Sequence, residues 1–341
     1  ITKKDLYETS GHWEKFGDDL FKITTREGHV FAMKPMNCPH HTQIYNRKQF
    51  SYRDLPQRYA STTKVYRDEQ SGELSGLSRV RAITQDDAHV FCRSNQIKEE
   101  MLKVWDIITE FYGRAGFDLA VRLSLHDPKQ PKNYLGKPEV WKESEQQLRA
   151  IIKEKGVSAY EAIGEAAFYG PKIDFMAKDS LAREWQVATI QLDMNLPERF
   201  DLTCINEKSE RERIVMIHAA IMGSIERYLS ILIEHYAGAF PFWLAPVQVA
   251  LLTVTDGAQA YGQRVRDELS RRDMRVVLDD RRETIGKKIR ENEMQKIPYL
   301  LIIGTREAES KMVAVRERGK GDQGAMSIDA FVARIDAREV S

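Results

Sequence analysis

The chain has 341 residues, 42% hydrophobic and 30% charged, which excludes a disordered polymer and leaves room for two globular domains. Its formal net charge of +1 gives no bulk attraction to nucleic acid, so any such site must be a local patch. Three well-separated cysteines, Cys38, Cys92 and Cys204, exclude a disulfide framework, and no apolar run approaches the roughly 18 residues of a membrane span.

Thr2 to Asp5 reads as a capping box that opens a short helix. Leu20 to Met33 alternates like a hairpin turning at Glu27 and Gly28, and 41–50 reads as helix. Two strand-like runs, 60–69 and 79–92, are joined by the loop QSGELSGLS. From Ser94 to Phe117, residues Ile97, Met101, Val104, Ile108, Phe111 and Tyr112 keep helical spacing, which predicts a core-facing helix. Leu119–Leu125 reads as a strand, Lys137 to Lys155 as a charged outer helix, and 166–178 with 183–194 as an antiparallel pair. Residues 215–236 read as one helix with Ile221, Ile225, Tyr228, Leu229, Leu232 and Tyr236 along a face and Arg227 off it.

The stretch AGAFPFWLAP then breaks the pattern, and a domain boundary placed there separates residues 1–240 from 241–341. Beyond it VQVALLTVT, MRVVLDD, PYLLIIG and MVAVRER read as strands, with helices over 258–272, 284–296 and 327–337. Strands and helices in blocks predict an α+β first domain on an antiparallel sheet. Alternating strands and helices predict an α/β second domain with a mainly parallel sheet.

Several stretches carry chemistry. In RVRAITQDDAHVFC (79–92), strand alternation puts Arg79, Arg81, Gln85, Asp87 and His89 on one face, and a mostly apolar set with Asp86 on the other. That polar face reads either as a solvated surface or as the floor of a ligand pocket. Arg67 and Glu69 share a strand parity, with Arg79 beyond the loop. They suit a phosphate grip and a base amino group, or a plain surface ion pair. Cys38, His89 and His218 are too far apart in sequence for spacing alone to name a metal site. The glycine pattern GKGDQG at 319–324 is rejected as a dinucleotide site, because no βαβ unit follows it, and reads as a flexible turn. The basic density at 271–290 reads as an RNA-facing patch or a solvated face.

Taken together, KPMNCP, SYRDLP, VYRDE, RVR, TQDDAHVFC, AFYGPKIDF, ATIQLD, MIHAAIMGSIERY, WLAPVQV, IGKKIRE and VAVRERG, in that order, resemble the threonyl-tRNA synthetase family of class II aminoacyl-tRNA synthetases. The resemblance covers nearly the whole chain and includes two of the three class II motifs. It implies a catalytic domain on an antiparallel sheet, then an α/β anticodon-binding domain, and an enzyme of the cytoplasm that ligates threonine to tRNA(Thr).

By the same resemblance, Cys38, His89 and His218 hold one Zn²⁺ per chain, whose open position takes the amino and hydroxyl groups of threonine. Asp87 accepts from the hydroxyl, and Gln85, Tyr169 and Gln191 line the threonine pocket. Arg67 and Arg227 are the catalytic arginines. Arg67 holds the α-phosphate and the substrate carboxylate, Glu69 meets the adenine amino group, and Arg79 and Arg227 hold the outer phosphates with Mg²⁺. Lys172 and Gln186 flank ATP, and Glu307 and Arg316 belong to the anticodon-reading surface. His40, Ala82, Ala188 and Ala219 depart from the family pattern, and His40 and His41 are both placed to approach the metal. The first class II motif and an N-terminal editing domain are expected outside this chain, with a homodimer in the intact protein and serine activated at some rate. The competing readings are a catalytically idle synthetase paralogue that binds RNA or regulates, and a related ligase for proline or serine.

Overall fold

The structure, a computed structural model, describes residues 1–179 and 182–339. It divides into two compact units, Ile1–Leu232 and Ile233–Ser341.

The first unit is built on a seven-stranded sheet, in the order Gln57–Tyr66, Ala82–Cys92, Val215–Ala220, Glu184–Asp193, Lys172–Lys178, Ala120–Leu125 and Ala159–Ile163. Neighbours are antiparallel except the last pair. Helices Ile97–Arg114 and Pro138–Lys155 bury their apolar stripes against it; Met101, Ile108 and Leu148 are fully buried, and Trp105 meets Phe175 edge-on at 4.9 Å.

Register sets what the other face carries. His89 lies opposite Tyr59 on one side and His218 on the other, His218 opposite Gln191, and Gln191 opposite Lys172. Directly opposed residues of an antiparallel ladder share a face. One row across five strands therefore bears two imidazoles, an amide, a phenol and an ammonium. A second row, two residues along, opposes Ser61 to Asp87 and Thr189 to Asp174.

Close approach is required where this face meets the loop before Lys172. A Cβ on Gly170 would lie 2.0 Å from the carbonyl oxygen of Leu192. The backbone there is paired and cannot yield cheaply, so Gly170→Ala is expected to cost about 3 kcal/mol of stability, read as a fall in the denaturation midpoint.

Several expectations need correction. Residues 215–236 are not one helix: Val215–Ala220 is a central strand, Gly223 turns at φ 65°, and the helix is Ile225–His235. All six strand residues are buried, so the run lacks the alternation that marks a one-sided strand. The strand before Arg67 ends at Tyr66 and the next begins at Ala82, so Arg67, Glu69 and Arg79 all sit on the connecting segment. Thr2 pairs with Ala32 in a short strand, and helix Lys4–Ser10 has no side-chain cap. The strand Ala159–Ile163, helix Asn195–Arg199 and the small sheet of Phe50–Ser51, Thr203–Ile205 and Arg211–Arg213 went unforeseen.

The second unit has a five-stranded sheet, in the order Val276–Asp279, Val249–Thr253, Tyr299–Ile303, Val313–Glu317 and Gly321–Met326. The first three run parallel, and the last two are antiparallel. Helices Gln259–Arg271 and Ile328–Glu339 supply Val265 and Phe331 to one core face, where they meet Leu251 and Leu301. Helix Ile285–Met294 covers the other face through Ile285 and Ile289. The GKGDQG stretch is not a loose turn: Gly319 and Gly321 take positive φ and turn the chain into the edge strand Gly321–Met326. The expected architecture, an antiparallel α+β core followed by an α/β domain, is borne out. Among the described residues, no helix is long and apolar enough to cross a membrane.

Candidate functional site

Cys38 opens helix Cys38–Asn46 and is fully buried beneath the two-histidine row. One donor atom each from Cys38, His89 and His218 lies within 4.8 Å of the others. His218 Nε2 bonds Asp193 Oδ2 at 2.8 Å, which leaves Nδ1 turned to His89 Nε2 at 3.1 Å. The Tyr169 ring stacks on His218 with centroids 4.6 Å apart.

Burial pushes the His89 pKa well down and keeps the ring neutral, the form that ligates. Burial pushes the Cys38 thiol well up, so a nearby cation is what would draw out the thiolate. One sulfur and two nitrogens, all buried, fit zinc, and three protein ligands leave a coordination position for a substrate.

Beside them, Asp87 is 3% exposed and its Oδ2 has no hydrogen-bond partner. Burial, reinforced by Asp86 and opposed by Lys34, raises its pKa to about 7. An orphaned buried carboxyl oxygen is a costly group that a ligand donor would satisfy. Asp86, on the opposite face, is accounted for structurally: it accepts the backbone N–H groups of Ile221 and Met222 at 3.2 and 3.0 Å.

A cavity of about 390 Å³ opens on the same face, lined by Arg67, Gln85, Tyr169, Lys172, Gln186, Gln191 and Arg227 among others. Tyr169 Oη donates to Gln191 Oε1 at 2.5 Å. Among the described residues Arg67 has no carboxylate contact: Nη2 meets Met36 Sδ at 3.1 Å, the guanidinium lies 5.3 Å over Phe16, and Nε is shielded without a partner. Arg227 Nε donates to Ser78 O at 2.9 Å, and its guanidinium stacks 5.5 Å over Trp185. Burial lowers the pKa of both arginines, and Arg67 and Arg79 lower that of Arg227 further. Unneutralised positive charge on a cavity wall is an anion site.

Buried Asp174 organises the far wall. It accepts from Ser124, Thr189 and Arg122 at 2.6, 2.8 and 3.0 Å, and pairs with Lys172 at 3.3 Å. Glu69 and Arg79 do not line the cavity; they pair with each other at 2.7 Å. Of the departures, Ala188 lines the cavity, and Ala219 lies opposite Ala88 and Ile190 on the helix-covered face. His40 bonds Tyr7 Oη at 3.2 Å, whereas His41 Nδ1 contacts His89 Nδ1 at 2.8 Å.

Sequence reasoning missed His12, Asp174, Trp185 and Asp193. His12 Nε2 lies 3.5 Å from Cys38 Sγ, its Nδ1 bonds Ser10 at 2.8 Å, and burial, with help from His218 and Arg67, drops its pKa to about 3. The polar triplet Ser10-Gly11-His12 before an aromatic was the available signal.

In the second unit, Glu307 Oε2 accepts the Gly304 N–H at 2.9 Å, and Arg316 Nη2 lies 3.3 Å from Glu293. The basic run is largely engaged: Arg272 with Glu268 and Asp329, Arg281 with Asp279 and Glu291, Arg282 with Asp256, and Lys287 with Glu283. A cavity of about 550 Å³ lies at the carboxyl ends of the parallel strands, lined by Thr253–Asp256, Asp280–Thr284 and Lys288.

Residues 21–236 match the tRNA synthetase class II core domain (G, H, P, S and T), and residues 248–338 match the anticodon binding domain. The chain is 50% identical to a threonine–tRNA ligase of Phocaeicola vulgatus over 344 residues, covering 100% of this chain and 53% of that protein. It is 50% identical to one from Porphyromonas gingivalis, covering 98% and 52%. The chain thus spans about half the length of the curated relatives it matches. A crystal structure of the RNA binding domain of threonyl-tRNA synthetase from Cryptosporidium parvum superposes with a TM-score of 0.92 at 38% identity, covering 98% of this chain and 83% of that one. Giardia lamblia prolyl-tRNA synthetase in complex with prolyl-adenylate, at 17% identity and a TM-score of 0.75 over 99% of this chain and 67% of that one, shares the fold. With its core and anticodon-binding domains both matched in order, the chain belongs to the threonyl-tRNA synthetase family of class II synthetases.

Proposed function

We propose that the chain ligates threonine to tRNA(Thr) at the expense of ATP, through a threonyl-adenylate. The reading rests on one adjacency: a buried cysteine–histidine–histidine trio beside a cavity walled by Arg67 and Arg227, neither of which pairs with a carboxylate among the described residues. Zinc, when bound by Cys38, His89 and His218, supplies a Lewis-acidic position that takes an amino group and a hydroxyl but not a methyl.

The chain's own residues do the rest. Asp87 accepts from the threonine hydroxyl, and Gln85, Tyr169 and Gln191 wall the pocket. Arg67 bridges the α-phosphate and the substrate carboxylate. Arg227 neutralises the outer phosphates of Mg²⁺-bound ATP, and Lys172 and Gln186 flank the nucleotide; Arg79 and Glu69, paired with each other outside the cavity, part to reach the outer phosphates and the adenine amino group. The carboxylate attacks the α-phosphorus and pyrophosphate leaves; a tRNA 3′-terminal hydroxyl then takes the threonyl group and AMP leaves. Positioning and charge neutralisation carry the rate, since no protein acid or base is required in the first step. Residues 1–240 serve catalysis and 241–341 bind the anticodon, in a cytoplasmic protein that is a homodimer when intact.

Purified chain supplied with zinc, Mg²⁺ and ATP is expected to exchange pyrophosphate in a threonine-dependent way; no exchange under those conditions would overturn the proposal. Unpaired anticodon bases are read on their edges, so Arg316→Ala is expected to lower tRNA charging efficiency about tenfold or more. It should leave tRNA-independent pyrophosphate exchange unchanged.

A further inference from the structure

Five hydrogen bonds run in an unbroken line through the metal-ligand row. Lys34 Nζ lies 3.2 Å from Asn37 Oδ1, Asn37 Nδ2 is 2.9 Å from His41 Nε2, and His41 Nδ1 is 2.8 Å from His89 Nδ1. His89 Nε2 is 3.1 Å from His218 Nδ1, and His218 Nε2 is 2.8 Å from Asp193 Oδ2. Asn37, His41, His89, His218 and Asp193 are all buried.

The two ends fix the direction of the line. An ammonium only donates and an ionised carboxylate only accepts. One proton per link is then satisfied in a single order: Asn37 donates to His41, His41 donates through Nδ1, His89 donates through Nε2, and His218 donates through Nε2. In that order the His89 nitrogen facing the trio carries a proton and cannot ligate. His218, by contrast, already presents a bare Nδ1.

We propose that His41 is the positioning residue for ligand His89, and that metal capture reverses the hydrogen-bond order between His89 and Asn37. The proposal rests on the zinc reading given above. His89 moves its proton from Nε2 to Nδ1 and donates it to His41 Nδ1. His41 moves its own proton to Nε2, which faces Asn37 and, at 3.5 Å, the Ser61 hydroxyl. The Asn37 amide turns over to accept; its Nδ2 then faces Lys34, whose ammonium gives up that bond and keeps the one to Thr63 Oγ1. No proton is gained or lost along the line; the single proton released on zinc binding comes from the Cys38 thiol. Asp193 does for His218 what His41 does for His89, but a carboxylate needs no reversal. Outer partners of this kind fix tautomer and ring orientation and set affinity.

Zinc affinity by competition with a chromophoric chelator, together with ¹⁵N NMR of the imidazoles, tests this. His41→Phe, which keeps bulk but removes the acceptor, is expected to weaken zinc binding about 10- to 100-fold. His41→Asn, whose Oδ1 stands near the original Nδ1, is expected to recover most of that loss. His40→Ala, one residue away on the Tyr7 side, is expected to stay within about twofold of the parent. In the parent, His89 should carry its proton on Nε2 without zinc and on Nδ1 with it, a readout that needs no variant to fold. A parent that binds no zinc overturns the metal reading itself. A parent that binds zinc while His41→Phe binds equally well, or while His89 shows no tautomer change, overturns this inference alone.

Discussion

Replacing Arg67 with methionine is expected to lower threonine-dependent pyrophosphate exchange about 100- to 1000-fold, the scale found when one preorganised donor to developing negative charge is removed. The same variant is expected to keep or raise the melting temperature. Both outcomes follow from one feature. The Arg67 guanidinium has an unpartnered Nε, a thioether against Nη2 and an aromatic ring alongside, and, among the described residues, no carboxylate in contact. A shielded cation without a counter-ion costs stability, and an apolar side chain of similar length relieves that cost. The contrast with Arg58 is direct: there the bidentate pair to buried Glu100, at 2.7 Å for both bonds, is structural, and cutting it would destabilise the fold without a specific effect on exchange. Exchange that survives in Arg67→Met within a few-fold of the parent would remove Arg67 from the chemistry.

What the sequence disclosed and what it hid divide along physical lines. Alternation within Ala82–Cys92 was enough to put Gln85, Asp87 and His89 on one face, because strand periodicity is local. That His89 stands opposite His218, and His218 opposite Gln191, is a matter of register between strands 129 and 27 residues apart in these pairings, and no local pattern encodes it. The strand Val215–Ala220 was misread as helix for a related reason: buried on both faces, it has lost the polar beat that distinguishes the two periods. Only the family resemblance brought Cys38, His89 and His218 together in advance.

Buried partners were the least legible. Asp174 and Asp193 look like ordinary strand carboxylates, and their importance comes from being fully buried under several donors. His41 was noticed only as a rival to Cys38, whereas it lies outside the Cys38–His89–His218 group, with its Nδ1 2.8 Å from His89 Nδ1.

Cys38→Ala is expected to abolish zinc binding at stoichiometric metal and to collapse the preference for threonine over valine. An apolar pocket distinguishes a hydroxyl from a methyl of like shape by only about 100-fold, whereas a site that must bond the hydroxyl reaches about 10⁴ or more. The parent should therefore prefer threonine by about 10⁴ in exchange efficiency, and the variant by about 100 or less. Threonine activation itself should fall sharply, while valine activation changes little. Serine discriminates between causes, because it keeps the hydroxyl and lacks only the methyl. It should be activated by the parent at a measurable rate and should lose activity in Cys38→Ala in parallel with threonine. A preference for threonine over valine that persisted in metal-free protein would mean that Asp87, with its unpartnered oxygen, reads the hydroxyl unaided. Undetectable serine activation beside robust threonine activation would mean that the pocket walls read the methyl group as well.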